Sequence, residues 1–425
     1  MSRRRKKRTN KKQKRMWLWI EIAVVVIGIA ALLGILFDKD ENREDKKPDN
    51  QMEQVTDSIE LEEEPEEPVL TEEEILEQKV DAILAEMTVE DKIYQMFIVT
   101  PEALTGYGSV TAAGNSTRSS LEAKPVAGLI YFRNNLVNEG QTKEMLQNTQ
   151  KYGMELQGMP LFTCIDEEGG RVARVGNHSG FSVDEVGAMY YLDSKEEAYQ
   201  AGATIGAYLS DLGFNFDFAP DADVLSNPHN NVIGDRSFGE DPGIVKERSV
   251  AYSDGLHSAN VLSTFKHFPG HGATEGDTHA GFAYTNKSYE ELKQEDLVPF
   301  AAAGEAGVDA IMVAHISLPN VVGDNTPCTL SKKIITDILR GDLRYEGLVV
   351  TDALNMGAIS QHYSSGEAAA MAVEAGVDLL LMPKNFESAV TGIKTAVQDG
   401  RITEARLDAS MRRIIRAKLQ LAETR

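Results

Sequence analysis

Cysteine is nearly missing: Cys164 and Cys328 are the only two in 425 residues, which excludes a disulfide framework, and Cys164 lies in an apolar run where a buried thiol is expected. Basic charge is scarce beyond the start of the chain. Ten Lys and Arg crowd between Arg3 and Arg15, so a formal charge of −23 leaves about −33 for everything after them. An acidic body of that size excludes non-specific nucleic-acid binding. Long apolar runs are scarce too, with one candidate, residues 17–37.

That stretch of about 21 residues carries one charge, Glu21, with Trp17 and Trp19 at its edge. Its length matches a bilayer crossing, and the basic block before it (residues 1–16) reads as a cytoplasmic N-terminus. A cleaved signal peptide would have a shorter apolar core and small residues at a cleavage site, and no such site follows Leu33. The expectation is a transmembrane signal-anchor helix over 17–37, with the rest of the chain exported as a single-pass membrane protein. Residues 38–71, rich in Glu, Asp, Lys and Pro, read as an acidic, disordered tether. Folded chain is expected over 72–425.

After a helix-like stretch at 72–95, short apolar runs recur at 96–99, 128–132, 161–165, 216–219, 261–265, 310–314, 348–351 and 379–382. Amphipathic stretches lie between them, at 195–212, 242–259, 331–339 and 366–375 among others, several closed by glycine. Alternating strand and helix implies parallel crossovers, and eight strands imply an α/β fold of the (β/α)8 TIM-barrel type in one catalytic domain; a doubly wound sheet is the alternative. Polar residues follow the runs in succession: Asp166 after the third, Asp221 and Asp223 after the fourth, Lys266 and His267 after the fifth, His315 after the sixth, Asp352 after the seventh. In a barrel those ends share one face, where active sites of this fold are built.

Two stretches carry the chemistry. Residues 262–282 (LSTFKHFPGHGATEGDTHAGF) hold three of the eight histidines of the chain. Residues 348–352 (LVVTD) close an apolar run on one carboxylate, a costly placement unless it works. The run Lys266-His267-Phe268-Pro269-Gly270-His271-Gly272, then Asp277-Thr278-His279, then Val350-Thr351-Asp352-Ala353-Leu354-Asn355-Met356, resembles glycoside hydrolase family 3, in its β-N-acetylhexosaminidase branch. The resemblance runs from about Leu84 to about Lys418. It departs at Ala273, where many members carry Asp, and at Thr278, where Ser is common.

The resemblance implies a retaining exo-β-N-acetylhexosaminidase that removes terminal β-linked N-acetylglucosamine, here from peptidoglycan-type fragments. Asp352 is the implied nucleophile, its alternative role being a helix N-cap. It must stay ionised, and a cation such as Lys266 would hold its pKa down. The implied acid/base is His279 paired with Asp277; imidazole titrates near neutrality, and a carboxylate can fix its tautomer. His271 is the rival, expected instead to hold the loop by a hydrogen bond. Asp166, Arg174, Arg236, Lys266 and His267 match the residues that grip the sugar, and charge-assisted hydrogen bonds to hydroxyls suit that task. Glu167 and Glu168 read as solvated or salt-bridged.

No cofactor is expected. The competing functions are a metal-dependent hydrolase using His267, His271, Asp277, His279 and Asp352 as ligands, a non-catalytic wall-binding module, and a family 3 β-glucosidase. Against the first stands the lack of a His-x-His on the first strand. Against the last stands the expectation that such members take their acid from a second domain.

Overall fold

Thr71 opens the folded chain. Its hydroxyl accepts the Glu74 amide while the Glu74 carboxylate accepts the Thr71 amide, a capping box that starts helix α1 (Glu72–Glu86). Thr88 repeats the device with Asp91 and starts α2 (Val89–Gln95), so the single helical stretch at 72–95 is two helices broken at Met87. The computed structural model describes residues 70–276, 278 and 283–423. The chain divides between Pro68 and Val69 into two units, and every described residue belongs to the second.

Eight short parallel strands follow among the described residues: β1 (Phe97–Val99), β2 (Gly128–Ile130), β3 (Phe162–Ile165), β4 (Phe216–Asp217), β5 (Thr264–Phe268), β6 (Ala310–Val313), β7 (Leu348–Thr351) and β8 (Leu380–Leu381). Every strand residue is buried, without polar alternation, because both faces of the sheets are covered. The strands fall on the apolar runs of the sequence, except that β5 starts three residues later than the run at 261–265. Its ladder with β6 begins at Thr264↔Ala310, which puts Lys266 and His267 inside the strand.

The larger helices pack outside: α3 (Glu139–Gln157), α4 (Lys195–Leu212), α5 (Pro242–His257), α6 (Ser365–Ala375), α7 (Phe386–Gln398) and α8 (Glu404–Glu423). Helices α4 and α5 touch backbone to backbone. A Cβ on Gly202 would lie 2.1 Å from the Tyr252 carbonyl oxygen, so glycine alone permits the approach. That approach sets Tyr252 under the end of β3, where its hydroxyl lies 3.3 Å from the carbonyl oxygens of both Glu167 and Glu168. The amphipathic stretch at 331–339 is wound as a π-helix, Lys333–Asp342, that still buries Ile334, Ile335, Ile338 and Leu339.

The expected fold class is corrected in one respect. The ladders do not run as one closed eight-stranded TIM barrel; they form a curled five-stranded sheet in the order β4-β3-β2-β1-β8 and a three-stranded sheet β5-β6-β7. At the junctions the pairing shrinks to isolated parallel bridges, Phe216↔Leu262 and Asp221↔Lys266 on one side and Val350↔Leu379 on the other. The reason is local: β4 and β8 are two residues each, too short for a ladder on both sides, and Pro220 beyond β4 has no N–H to give. No described helix is long and apolar enough to cross a membrane; even α8, at 20 residues, is studded with Arg406, Arg412, Arg413 and Arg416. The stretch 17–37 and the tether up to residue 69 lie outside the described residues.

Phe162, Phe216 and Phe218 stack edge to face in the core, with centroids 5.3 and 5.2 Å apart. Lys418 of α8 enters this core completely buried. Its Nζ donates to Gln95 Oε1 at 2.9 Å and sits 5.4 Å from the Phe162 ring centroid, and burial pulls its pKa down to about 7. Both cysteines are free and buried, Cys164 in the apolar run where a buried thiol was expected.

Candidate active site

Strand β3 runs straight into Asp166, Glu167 and Glu168, and β5 carries Lys266 and His267 beside it. The Lys266 ammonium, 2% exposed, donates to Asp166 Oδ1 at 3.1 Å and to Glu168 Oε1 at 2.7 Å. Burial alone would lower its pKa, but Glu168 and Asp166 overcome that and leave it above its ordinary value. Glu168 also takes Arg236 in a two-pronged pair, Nε to Oε2 at 2.8 Å and Nη2 to Oε1 at 2.7 Å. Burial pushes the Glu168 carboxyl up, yet the two cations outweigh it and hold the group ionised well below the usual range.

Arg236 reaches onward. Its Nη2 lies 3.3 Å from His267 Nε2; a guanidinium can only donate, so Nε2 accepts, and Nδ1–H donates to Asp223 Oδ2 at 2.8 Å. Burial, reinforced by Arg236, lowers the His267 pKa to about 4, so the ring is neutral in working solution. Asp223 Oδ1 accepts the His271 amide at 2.5 Å, and Asp221 Oδ1 accepts the Asp223 amide at 3.0 Å. Burial and the nearby Asp223 charge raise Asp221 to about 7. His271 holds its loop as the sequence suggested: Nδ1 meets Thr274 Oγ1 at 2.9 Å and its carbonyl accepts Asn230 Nδ2 at 2.8 Å.

Arg174 joins from the loop after β3, its Nη2 3.5 Å from Asp166 Oδ2 and its guanidinium 5.6 Å from the Phe132 ring centroid. A hollow of about 550 Å³ bounded by Phe132, Arg133, Asn134 and Arg174 opens beside this pair. Asp166, Arg174, Arg236, Lys266 and His267, five residues named from the sequence, thus form one connected network.

Asp352 closes β7 half-buried, its amide donating to Val313 O at 3.0 Å and its Oδ1 accepting the Ala353 amide at 2.7 Å. Burial would raise its pKa; His315 and His267, then the Ala353 amide and Lys266, bring it below the ordinary value. Lys266 contributes, but behind the imidazoles. The capping role falls away, because the next helical turn, Gly357–Ser360, has Met356 at its N-cap.

Asp277 and His279 lie outside the described residues. Thr278 between them is buried, and its carbonyl accepts the Ala358 amide at 3.0 Å, which ties the chain at 278 to the segment six residues past Asp352. Sequence reasoning missed Glu168 as a site group; it set Asp221 and Asp223 on the face of the strand ends but gave them no role.

Asp221, Asp223 and His267 converge closely enough to suggest a metal cage, each offering a ligand atom within 4.8 Å of the others. The donor set does not fit one. The facing atoms of Asp223 and His267 are spent on each other, and Arg236 Nη2 stands 3.5 Å from Asp221 Oδ2 and 3.3 Å from His267 Nε2, where it would repel a cation.

The family model for the glycosyl hydrolase family 3 N-terminal domain matches residues 88–417. Beta-hexosaminidase A of Pseudoalteromonas piscicida is 36% identical over 323 residues, covering 70% of this chain but 54% of its own length; the chain spans about half of that relative. The beta-hexosaminidase of Xylella fastidiosa (strain M23) is 37% identical over 246 residues, 56% of this chain and 70% of the relative. Among solved structures, a family 3 β-N-acetylglucosaminidase from Paenibacillus sp. strain FPU-7 superposes with a TM-score of 0.74 at 36% identity, covering 80% of this chain and 64% of that one. A family 3 glycosyl hydrolase from Mycobacterium smegmatis does so at 0.69 and 32% identity, covering 79% and 98%.

Proposed function

The chain belongs to glycosyl hydrolase family 3, and on that premise we propose that it is a retaining exo-β-N-acetylhexosaminidase acting on terminal β-linked N-acetylglucosamine, with peptidoglycan-type fragments as its substrates. The observation that carries the proposal is the pairing of an ionised carboxylate, Asp352, with the buried network of Asp166, Glu168, Lys266, Arg236 and His267 along the same strand ends. Likeness to relatives named β-hexosaminidase supports the choice of sugar.

In this reading Asp166, Arg174 and Lys266 take the hydroxyls of the terminal sugar through charge-assisted hydrogen bonds. Glu168 already holds Lys266 in place and Lys266 holds Asp166, so those two need little reorganisation when the sugar arrives. Asp352 attacks the anomeric carbon, the C1–O bond to the leaving group breaks, and a glycosyl ester forms on its carboxylate. His279, oriented by Asp277, gives its proton to the departing oxygen. It then takes a proton from water, whose oxygen attacks the same carbon and frees Asp352 with retention; the two groups of a retaining pair act about 5 to 5.5 Å apart. The tie between Thr278 and Ala358 supports the pairing, since it keeps the loop of the acid/base beside the segment that follows the nucleophile.

The test is release of nitrophenol from the β-N-acetylglucosaminide and the β-glucoside side by side. Clear preference for the former is expected; equal or better cleavage of the plain glucoside would overturn the substrate assignment.

A further inference from the structure

Glu167 points away from the sugar network and is fully buried, yet it is saturated with donors. Its Oε2 accepts the amides of Arg174 at 2.5 Å and Val175 at 2.9 Å; its Oε1 accepts the Gly176 amide at 2.8 Å and the Tyr208 hydroxyl at 2.8 Å. Four donors on two oxygens is the full capacity of a carboxylate. The three amides are consecutive and belong to the segment that carries Arg174. Its own amide donates to Asp217 Oδ1 on β4 at 2.9 Å, so the acceptor is fastened to the strands, and Tyr208 ties it to α4.

Arg174 needs such help. Its guanidinium sits 3.5 Å from Asp166 and lies over Phe132, and its Nε is buried with no hydrogen-bond partner among the described residues. Side-chain contacts alone do not fix where the arginine stands. The backbone beneath it is fixed instead, by a carboxylate that touches none of the sugar-facing side chains.

We propose that Glu167 is a positioning residue for Arg174: its carboxylate gathers the amides of residues 174–176 and so sets the reach of the Arg174 guanidinium to Asp166 and to the bound sugar. The inference rests on the reading of Arg174 as a sugar ligand. Glu167→Ala releases all three amides and the Tyr208 hydroxyl. Glu167→Gln keeps one acceptor oxygen and turns an NH2 toward donors of which only the Tyr208 hydroxyl can also accept, so it retains part of the anchorage. Tyr208→Phe removes one bond and leaves the amides held.

The experiment is a double-mutant cycle on the aryl N-acetylglucosaminide, with amide hydrogen exchange at residues 174–176 alongside. Glu167→Ala is expected to raise KM by about tenfold with kcat changed far less, since the lost interaction is made in ground and transition states alike. Glu167→Gln should fall between it and the parent, and Tyr208→Phe closer to the parent. On an Arg174→Ala background, Glu167→Ala should add almost nothing to KM, while exchange at residues 174–176 still rises. Additive KM effects, or unchanged exchange in Glu167→Gln and Glu167→Ala, would overturn the proposal. If Glu167→Ala does not fold, Glu167→Gln and Tyr208→Phe carry the same cycle. Absence of turnover by the parent would sink the functional reading instead, and the exchange data would then decide whether Glu167 holds the segment.

Discussion

Glu168 and Lys266 meet at 2.7 Å with each residue only 2% exposed, and Arg236 closes on the same carboxylate from the other side. One anion thus stands between two cations in a place water does not reach. Removing it leaves like charges facing each other.

Glu168→Gln should therefore be among the most damaging conservative changes. Breaking a buried pair of this kind costs about 3 to 5 kcal/mol. A fall in Tm is expected together with a raised KM, measured by thermal unfolding and steady-state kinetics. A stable variant with ordinary KM would show that Lys266 and Arg236 hold their places without it.

Asp352→Ala should reduce turnover on the order of 10⁴-fold or more, the scale of losing a nucleophile, with the fold intact by circular dichroism. A slowly turned-over fluoro glycoside should label Asp352, read by peptide mass spectrometry. A label on another carboxylate would move the nucleophile there.

His279→Ala should separate leaving groups. A general acid is worth roughly 10²- to 10⁴-fold, and only where the departing oxygen needs a proton. Hydrolysis of a disaccharide should collapse while the first step with a dinitrophenyl glycoside survives, and Asp277→Ala should show the same pattern more weakly. Equal loss on both substrates would remove His279 from the role. His271→Ala, which breaks a loop contact, should lower both rates alike.

Chelation should change nothing. With Arg236 beside Asp221 and His267, excess EDTA is expected to leave kcat/KM of the dialysed enzyme unaltered. Loss of activity restored by a divalent cation would revive the metal-dependent reading.

Lys418 should contribute stability that grows with pH above neutrality. Its folded pKa, about 7, lies below the ordinary 10.5, so between those values the unfolded chain binds a proton that the folded chain does not. The unfolding free energy of the parent, from denaturant melts, should therefore gain on that of Lys418→Met across that window. A parent slope identical to that of the variant would show that the amine is not desolvated as the fold implies.

The strands were legible because eight apolar runs of four or five residues can hardly be anything else when helical stretches separate them. Asp166, Lys266, His267 and Asp352 were legible for a related reason: polar groups that follow apolar runs stand out, although Lys266 and His267 prove to lie inside β5. Glu168 was not. In a run of three acids it reads as solvated or salt-bridged; the second alternative holds, but its partners, Arg236, 68 residues away, and Lys266, are not marked in the sequence. The joining of the strands was misread as well, since an alternating pattern specifies neighbours but not how few residues β4 and β8 devote to pairing. The break at Met87 was written in Thr88 and Asp91, a capping signal that a continuous helical pattern conceals.

The span of these contacts bears on how the chain folds. Lys266 and Asp166 are 100 residues apart and Arg236 and Glu168 are 68 apart, so the network closes only after long loops have been drawn in. Such closures are slow, and contacts of this range contribute little before the strands between them are ordered. A newly made or heat-stressed chain therefore has the proposed sugar site as one of its last acquisitions. A tight sugar mimic, which can bind only the finished site, would draw the folding equilibrium forward by mass action, giving about 2.7 kcal/mol at a hundred times its Kd. Such an inhibitor would act on the nascent protein as a chaperone.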